Sequence, residues 1–300
     1  MTSASFLPLL PPALVEEAVA RALAEDLGLA GDITTTATIP AGVRASGVIA
    51  ARKPGVVSGL PLVEAAFHQL DPAIVIERHA GEGDRLAAGD VVCRIAGDAR
   101  AMLTGERVAL TSRGRMSGIA TLTRQYVDAV AGTRAAIVDT RKTTPGLRTF
   151  EKHAVRCGGG HNHRFGLFDA VLVKDNHIVA AGGVGAAGAP ARAPRRRMIR
   201  PEGEGRTPEQ LSEALVHPID AVLLDNMDPE TLARAVAMVA GRVLTEASGG
   251  VTLDTVRKIA ETGVDLVSIG ALTHSAPVLD LGLDFEAPPG SRHNRGERRA

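Results

Sequence analysis

Tryptophan is absent from this chain of 300 residues, tyrosine occurs once, and six phenylalanines complete the aromatic set. So few rings offer little surface on which nucleic-acid bases could stack. Net charge is missing too, because 34 Lys and Arg balance 34 Asp and Glu. A nucleic-acid partner calls for a basic excess, so that class is set aside. Any anion site must instead come from local clustering. Cysteine is scarce: Cys93 and Cys157 fit no metal-ligand or redox spacing. Both are expected to be reduced, with the chain in the cytoplasm. No apolar run reaches the roughly 18 residues of a membrane span. The start, Met1-Thr2-Ser3 and then Leu9-Leu10-Pro11-Pro12, lacks the form of a signal peptide. A membrane partner is therefore not expected.

What is present suffices for a globular enzyme. Apolar residues make up 45 % and charged residues 23 % of the chain, a balance that can bury a core. The length allows about two domains. Leu14–Leu27 reads as a helix, with Leu14, Val15, Ala18, Ala22 and Leu23 on one face. A loop is expected through Gly31-Asp32-Ile33-Thr34. From Ala45 to Ala96 short β-branched runs surround a helix at Leu62–Gln69, which suggests a small α/β sandwich. Gly105–Val130 reads as helical. Strand and helix signals then alternate, with strands expected at 136–139, 170–174, 198–204, 221–225, 243–246 and 265–269. The clearest helices lie at 208–215, 229–239 and 252–262. Apolar strands alternating with helices imply a parallel sheet or barrel.

The strand ends carry the chemistry. Apolar strands break into Asp139-Thr140-Arg141-Lys142, Lys174-Asp175-Asn176-His177, Glu202-Gly203-Glu204, Asp225-Asn226, Glu246-Ala247-Ser248-Gly249-Gly250 and Gly270. In α/β barrels that rim holds the active site. Between Asp139 and His177 seven Lys and Arg meet four Asp and Glu, a local basic excess that suits a substrate with several anionic groups. Arg grips carboxylates bidentately, while Lys acts as a point charge. Glu204 and Asp225, on successive strand ends, are candidates for holding Mg²⁺ beside a phosphate. Ser248-Gly249-Gly250 precedes the helix expected from Thr252, an arrangement whose backbone N–H groups favour a phosphate. No Gly-x-Ser-x-Gly or His-Glu-x-x-His appears, so catalysis is expected to rest on positioning and electrostatics.

These residues together resemble quinolinate phosphoribosyltransferases. The run Asp139-Thr140-Arg141-Lys142-Thr143-Thr144-Pro145-Gly146-Leu147-Arg148 carries the likeness, with Lys152, Gly158-Gly159-Gly160, His161-Asn162-His163-Arg164 and Lys174-Asp175-Asn176-His177. It extends through Gly105-Glu106-Arg107, Ser117-Gly118-Ile119-Ala120-Thr121, Leu224-Asp225-Asn226-Met227 and Ser248-Gly249-Gly250. The resemblance implies an N-terminal α/β sandwich over residues 1–116 plus an open six-stranded α/β barrel over 117–275, with residues 276–300 packing back on the N-terminal domain and ending in a disordered tail. It implies a homodimer with shared active sites, alone or within a higher oligomer. The implied reaction joins quinolinate to phosphoribosyl pyrophosphate, giving nicotinate mononucleotide, pyrophosphate and CO2 for NAD biosynthesis. By the family pattern Arg141, His163, Arg164 and Lys174 hold quinolinate, and Arg107 arrives from the partner. Lys142, with Glu204 and Asp225 through Mg²⁺, faces the ribose and pyrophosphate. Ser248, Gly249, Gly250, Ile269, Gly270 and Ala271 take the 5′-phosphate, Thr140 and His274 are further substrate-binding residues, and Lys142, Arg107, Glu204 and Asp225 form the catalytic set.

Two stretches depart from that pattern. The family's Glu-Val-Glu-Val strand reads Glu202-Gly203-Glu204-Gly205 here, after Pro201, and Pro and Gly weaken a buried strand. Thr111-Ser112-Arg113-Gly114 stands where the family has a mostly apolar helix. Two rivals share the fold: a homologue associated with molybdate transport, and a non-catalytic binding homologue.

Overall fold

A computed structural model describes residues 7, 9–183, 201–205, 211–213, 215–216 and 219–286. The chain divides into two compact units, one of Pro8–Gly118 with the chain from Val278 on, the other of Ile119–Pro277.

The first unit is built on a four-stranded antiparallel sheet. Its strands are β1 (Arg44–Ala51), β3 (Val75–Arg78), β5 (Val91–Asp98) and β12 (Leu281–Phe285), in the order β12-β1-β5-β3. Strands β2 (Gly55–Val56) and β4 (Arg85–Leu86) form a separate pair. Helix α1 (Pro12–Leu27) buries Val15, Val19 and Leu23, one every four residues, and packs on α3 (Leu60–His68). Ile49, Val92 and Ile95 from the sheet and Leu60 and Phe67 from α3 are buried in this unit. The loop expected at Gly31–Thr34 is instead the start of a short helix, α2 (Ile33–Thr38). Asp32 caps it, its carboxylate accepting the Thr35 N–H at 2.8 Å. Its Thr-rich sequence carries no amphipathic period, so pattern reading passes over it.

Helix α4 (Ala99–Ala129) begins six residues before the expected start and runs unbroken through the atypical stretch at 111–114. Arg113 is fully buried there, and no guanidinium nitrogen has a hydrogen-bond partner among the described residues. Burial lowers its pKa, opposed by the fields of Cys93 and Glu82.

Cys93 is itself fully buried on β5, and burial pushes its thiol from the ordinary 9.0 up to about 11. A raised pKa means that the fold favours the protonated form. That contribution is complete below pH 9.0 and is lost as pH climbs toward about 11. At about 1.4 kcal/mol per unit, roughly 2–3 kcal/mol is at stake. Urea unfolding across that range is expected to show the loss, and iodoacetamide at pH 8 is expected to label Cys93 only after unfolding. Rapid labelling of the folded protein would contradict this.

The second unit is a parallel six-stranded sheet among the described residues. Its strands are β6 (Ala136–Val138), β7 (Val171–Val173), β8 (Pro201–Gly205), β9 (Ala221–Asp225), β10 (Leu244–Ser248) and β11 (Leu266–Ser268). They lie in the order β6-β11-β10-β9-β8-β7. The sheet is an α/β barrel left open between β6 and β7. The chain at His161 runs beside the β6 edge, where His161 bridges Val138 in parallel. Despite its proline and glycines, β8 pairs with both β7 and β9. The stretch expected to precede it, 184–200, lies outside the described residues.

Helices with described bounds in this unit include α5 (Arg148–Cys157), α6 (Asp175–Ala181), α7 (Pro229–Val239), α8 (Leu253–Glu261) and α9 (Ala271–His274). Helix α7 matches its expected bounds because its signals are strong. Asp228 caps it, accepting the Thr231 N–H at 3.0 Å, and Pro229 presets the first turn. Gly158 and Gly160 end α5 in a tight turn against α4. A Cβ at Gly158 would collide with the Ala120 carbonyl oxygen, and one at Gly160 would lie 2.8 Å from the Thr123 methyl.

Candidate active site

The strands of the second unit end on one rim, and the residues after them enclose a cavity of about 660 Å³. Thr140, Arg141 and Lys142 follow β6, and Lys174 follows β7. Asp225 ends β9, Ser248-Gly249-Gly250 closes β10, and Ile269-Gly270-Ala271 follows β11. His163, Arg164 and His274 complete the expected residues brought together there. Arg107 is exposed on α4 and belongs to the first unit. Glu204 is placed by its backbone, on the rung of Leu223.

Leu172, Leu223, Glu246, Val251, Thr252 and Ser268 also line the cavity; of these, Glu246 and Ser268 stand in expected strand ends without an assigned role. A signal for four of them was available. Residues two apart on a strand share a face. Leu172 precedes Lys174 by two, Leu223 precedes Asp225, Glu246 precedes Ser248, and Ser268 precedes Gly270.

A buried ion pair holds the basic wall. Asp139 and Lys152, from β6's end and α5, are fully buried and in direct contact. Burial pushes the Asp139 carboxyl above and the Lys152 ammonium below their ordinary values, and their attraction opposes both shifts. The pair also organises the loop that follows α5. Asp139 accepts Asn162 Nδ2 at 2.6 Å and the His163 N–H at 2.9 Å, while Lys152 Nζ donates to the His163 carbonyl at 3.0 Å. Lys152 further lies 5.1 Å from the centre of the Phe165 ring. Arg148 donates to Thr143 Oγ1 at 2.9 Å and to the Phe165 carbonyl at 2.9 Å, joining the loops that carry Arg141 and Arg164. Arg164 donates to the Ala170 carbonyl at 3.0 Å. Arg141 Nε is buried with no hydrogen-bond partner among the described residues, a donor available to an anion.

The opposite wall suits a phosphate. Gly249 has φ +95°, and a Cβ there would strike Asn226. Asn226 itself adopts φ 55° and donates its N–H to the Ser248 carbonyl at 2.8 Å. Gly250, Val251 and Thr252 lead from this turn into α8, whose N-terminus faces the cavity with its backbone donors. A Cβ at Gly270 would lie 2.9 Å from Lys142 Cδ, so glycine lets that side chain cross the rim. Thr273 Oγ1 donates to the Lys142 carbonyl at 2.8 Å and ties the two loops together.

The residues present fit a divalent cation. Asp225 offers a carboxylate on the cavity wall, with Asn226 Nδ2 donating to its Oδ2 at 2.9 Å. Glu204 lies on the adjacent strand, on the rung of Leu223, two residues before Asp225. Carboxylate oxygens beside a phosphate site are the donors Mg²⁺ takes.

An α/β barrel whose rim joins clustered cations to a glycine turn at a helix N-terminus is an enzyme for small phosphate-bearing anions. Comparison with known proteins narrows the class. Residues 32–117 match the family described as quinolinate phosphoribosyl transferase, N-terminal domain, and residues 119–284 match its C-terminal domain. The chain is 42 % identical over 260 residues to the probable nicotinate-nucleotide pyrophosphorylase [carboxylating] of Bacillus subtilis, covering 87 % of this chain and 89 % of that protein. It is 41 % identical over 304 residues to the mitochondrial quinolinate phosphoribosyltransferase [decarboxylating] 2 of Nicotiana glauca, covering 95 % and 86 %. The solved nicotinate-nucleotide pyrophosphorylase of Francisella tularensis superposes with a TM-score of 0.89 at 34 % identity, covering 95 % of this chain and all of that one. The chain belongs to the quinolinate phosphoribosyltransferase family.

Proposed function

We propose that this chain transfers the phosphoribosyl group of phosphoribosyl pyrophosphate to quinolinate with loss of CO2, forming nicotinate mononucleotide for NAD biosynthesis. The observation that carries the reading is one cavity holding Arg141, Arg164 and Lys174 opposite the Ser248-Gly249-Gly250 turn. The cations match the two carboxylates of quinolinate, and the turn matches the 5′-phosphate. This pairing also favours the reading over a homologue of the same fold that binds without catalysis.

The chemistry follows from that placement. As the C1–oxygen bond of the ribose breaks, its electron pair leaves with pyrophosphate. Lys142, at the rim between the two walls, stabilises that departing charge. The ring nitrogen lone pair then forms the bond to C1, and the ring becomes cationic. Arg141 and Arg164 hold the ring so that this attack is in line. The bond from C2 to its carboxylate breaks next, leaving its electron pair on C2 beside the cationic nitrogen, and a proton replaces the departed CO2. Bond formation therefore precedes decarboxylation. Mg²⁺, when bound by Asp225 and Glu204, neutralises charge on the pyrophosphate.

The active unit in this reading is a homodimer in the cytoplasm, with Arg107 supplied by the partner. Arg107 is exposed on α4, and both cysteines are free thiols, which supports each point. No helix of the described residues is long and apolar enough to cross a membrane. Mixing R107A with K142A, each inactive alone, is expected to restore about a quarter of wild-type nicotinate mononucleotide formation, since half the random dimers carry one intact site. No recovery would place Arg107 outside the partner's site.

A further inference from the structure

Glu246 differs from its surroundings. It is a carboxylate, 2 % exposed, in a cavity whose wall also carries Arg141, Lys142, Arg164 and Lys174. Its Oε2 lies 3.3 Å from His163 Nε2. The other ring nitrogen, Nδ1, accepts the Arg164 backbone N–H at 2.7 Å and so carries no proton. The ring proton of neutral His163 therefore sits on Nε2, toward Glu246. The His163 main chain is fixed as well, its N–H on Asp139 and its carbonyl on Lys152. The ring is held at both nitrogens, by the Arg164 N–H at Nδ1 and by Glu246 at Nε2.

We infer that Glu246 is a positioning residue that, together with the Arg164 N–H, holds His163 in its Nε2–H tautomer and fixes which edge of the pyridine dicarboxylate faces β10. This rests on the function proposed above. A substrate carboxylate seated against Glu246 would meet a like charge on a side chain that is itself buried. The two carboxylates therefore turn toward Arg141, Arg164 and Lys174, and an unsubstituted ring edge turns toward Glu246. One repulsive group among attractive ones is how a site rejects isomers as well as binding its own substrate.

Two variants of the full chain test this. Nitrogen-15 NMR of the histidine side chains, without substrate, is expected to show His163 as the Nε2–H tautomer in the wild type and in E246Q, whose amide oxygen still accepts that proton. In E246A, where the Arg164 N–H alone holds the ring, the share of the Nε2–H tautomer is expected to fall. The quinolinate KM of E246A is expected to rise at least about tenfold, with the KM for phosphoribosyl pyrophosphate unchanged. E246Q is expected to keep its quinolinate KM within about threefold. It should lose about tenfold of the discrimination against isomeric pyridine dicarboxylates, read as inhibition constants. Unchanged isomer discrimination in E246Q overturns the proposal. So does an E246A protein with the wild-type tautomer and wild-type quinolinate KM. If E246A fails to fold, E246Q decides. Failure of the wild type to make nicotinate mononucleotide would overturn the functional reading instead, and the NMR result would stand apart from it.

Discussion

K152M is expected to destabilise the barrel unit by about 3–5 kcal/mol, because it strands the Asp139 carboxylate in a site closed to water. Asp139 and Lys152 are both fully buried, and between them they hold Asn162 and both main-chain groups of His163. Methionine preserves the length of the stem and removes the charge. The double variant D139N/K152M is expected to recover part of the loss, since an amide at 139 still accepts the His163 N–H and leaves no buried charge. Urea unfolding of the three proteins gives the free energies. A loss below about 1 kcal/mol for K152M would place the pair among ordinary exposed ion pairs.

The second large effect is expected in binding. R164A is expected to weaken quinolinate at least about 100-fold, since removal of one member of a desolvated charge pair leaves the substrate carboxylate unpaired. Affinity for phosphoribosyl pyrophosphate is expected to stay within about threefold, because the phosphate turn lies on other strands. R164K is not expected to rescue it, as a single ammonium cannot reproduce a bidentate fork. The Arg164 guanidinium also donates to the Ala170 carbonyl, so the 165–170 loop is expected to loosen slightly in both variants. Calorimetric titration with each substrate separately distinguishes the outcomes, and unchanged quinolinate affinity would remove Arg164 from the clamp.

The residues behind these two predictions were not equally legible in the sequence. Arg164 stands in a charged cluster after a triple glycine, and its type announces anion binding. Lys152 belongs to the same basic count, yet the fold spends its charge on Asp139 inside the protein. Charge counting cannot separate a cation that meets substrate from one that props up the wall, because the difference lies in which face of α5 is buried. Glu246 stands in an expected strand end, yet its role is not legible there for a related reason. It reads as one polar residue in the strand Leu244–Ser248, and only the alternation of faces puts it beside Ser248 in the cavity. The phosphate turn was more legible, because glycine at 249 is demanded by a positive φ and by the close approach of Asn226. Strand and helix order in the barrel followed from apolar periodicity. Helix α2 did not, because it is set by one capping carboxylate and not by a pattern.

The two departures from the family pattern met different fates. Strand β8 keeps its place between β7 and β9 in spite of Pro201, Gly203 and Gly205, since backbone pairing on both sides does not depend on side chains. Arg113 keeps α4 helical but puts a guanidinium in a fully buried position. Nothing in the structure explains that choice of residue.

The central claim is a decarboxylating transfer in which the glycosidic bond forms first. The measurement that tests it most directly follows quinolinate labelled in its C2 carboxylate, incubated with phosphoribosyl pyrophosphate, Mg²⁺ and the wild-type chain. The expected result is one labelled CO2 per nicotinate mononucleotide, no free nicotinate at any time, and no CO2 without phosphoribosyl pyrophosphate. Release of CO2 from quinolinate alone, or accumulation of free nicotinate, would contradict it.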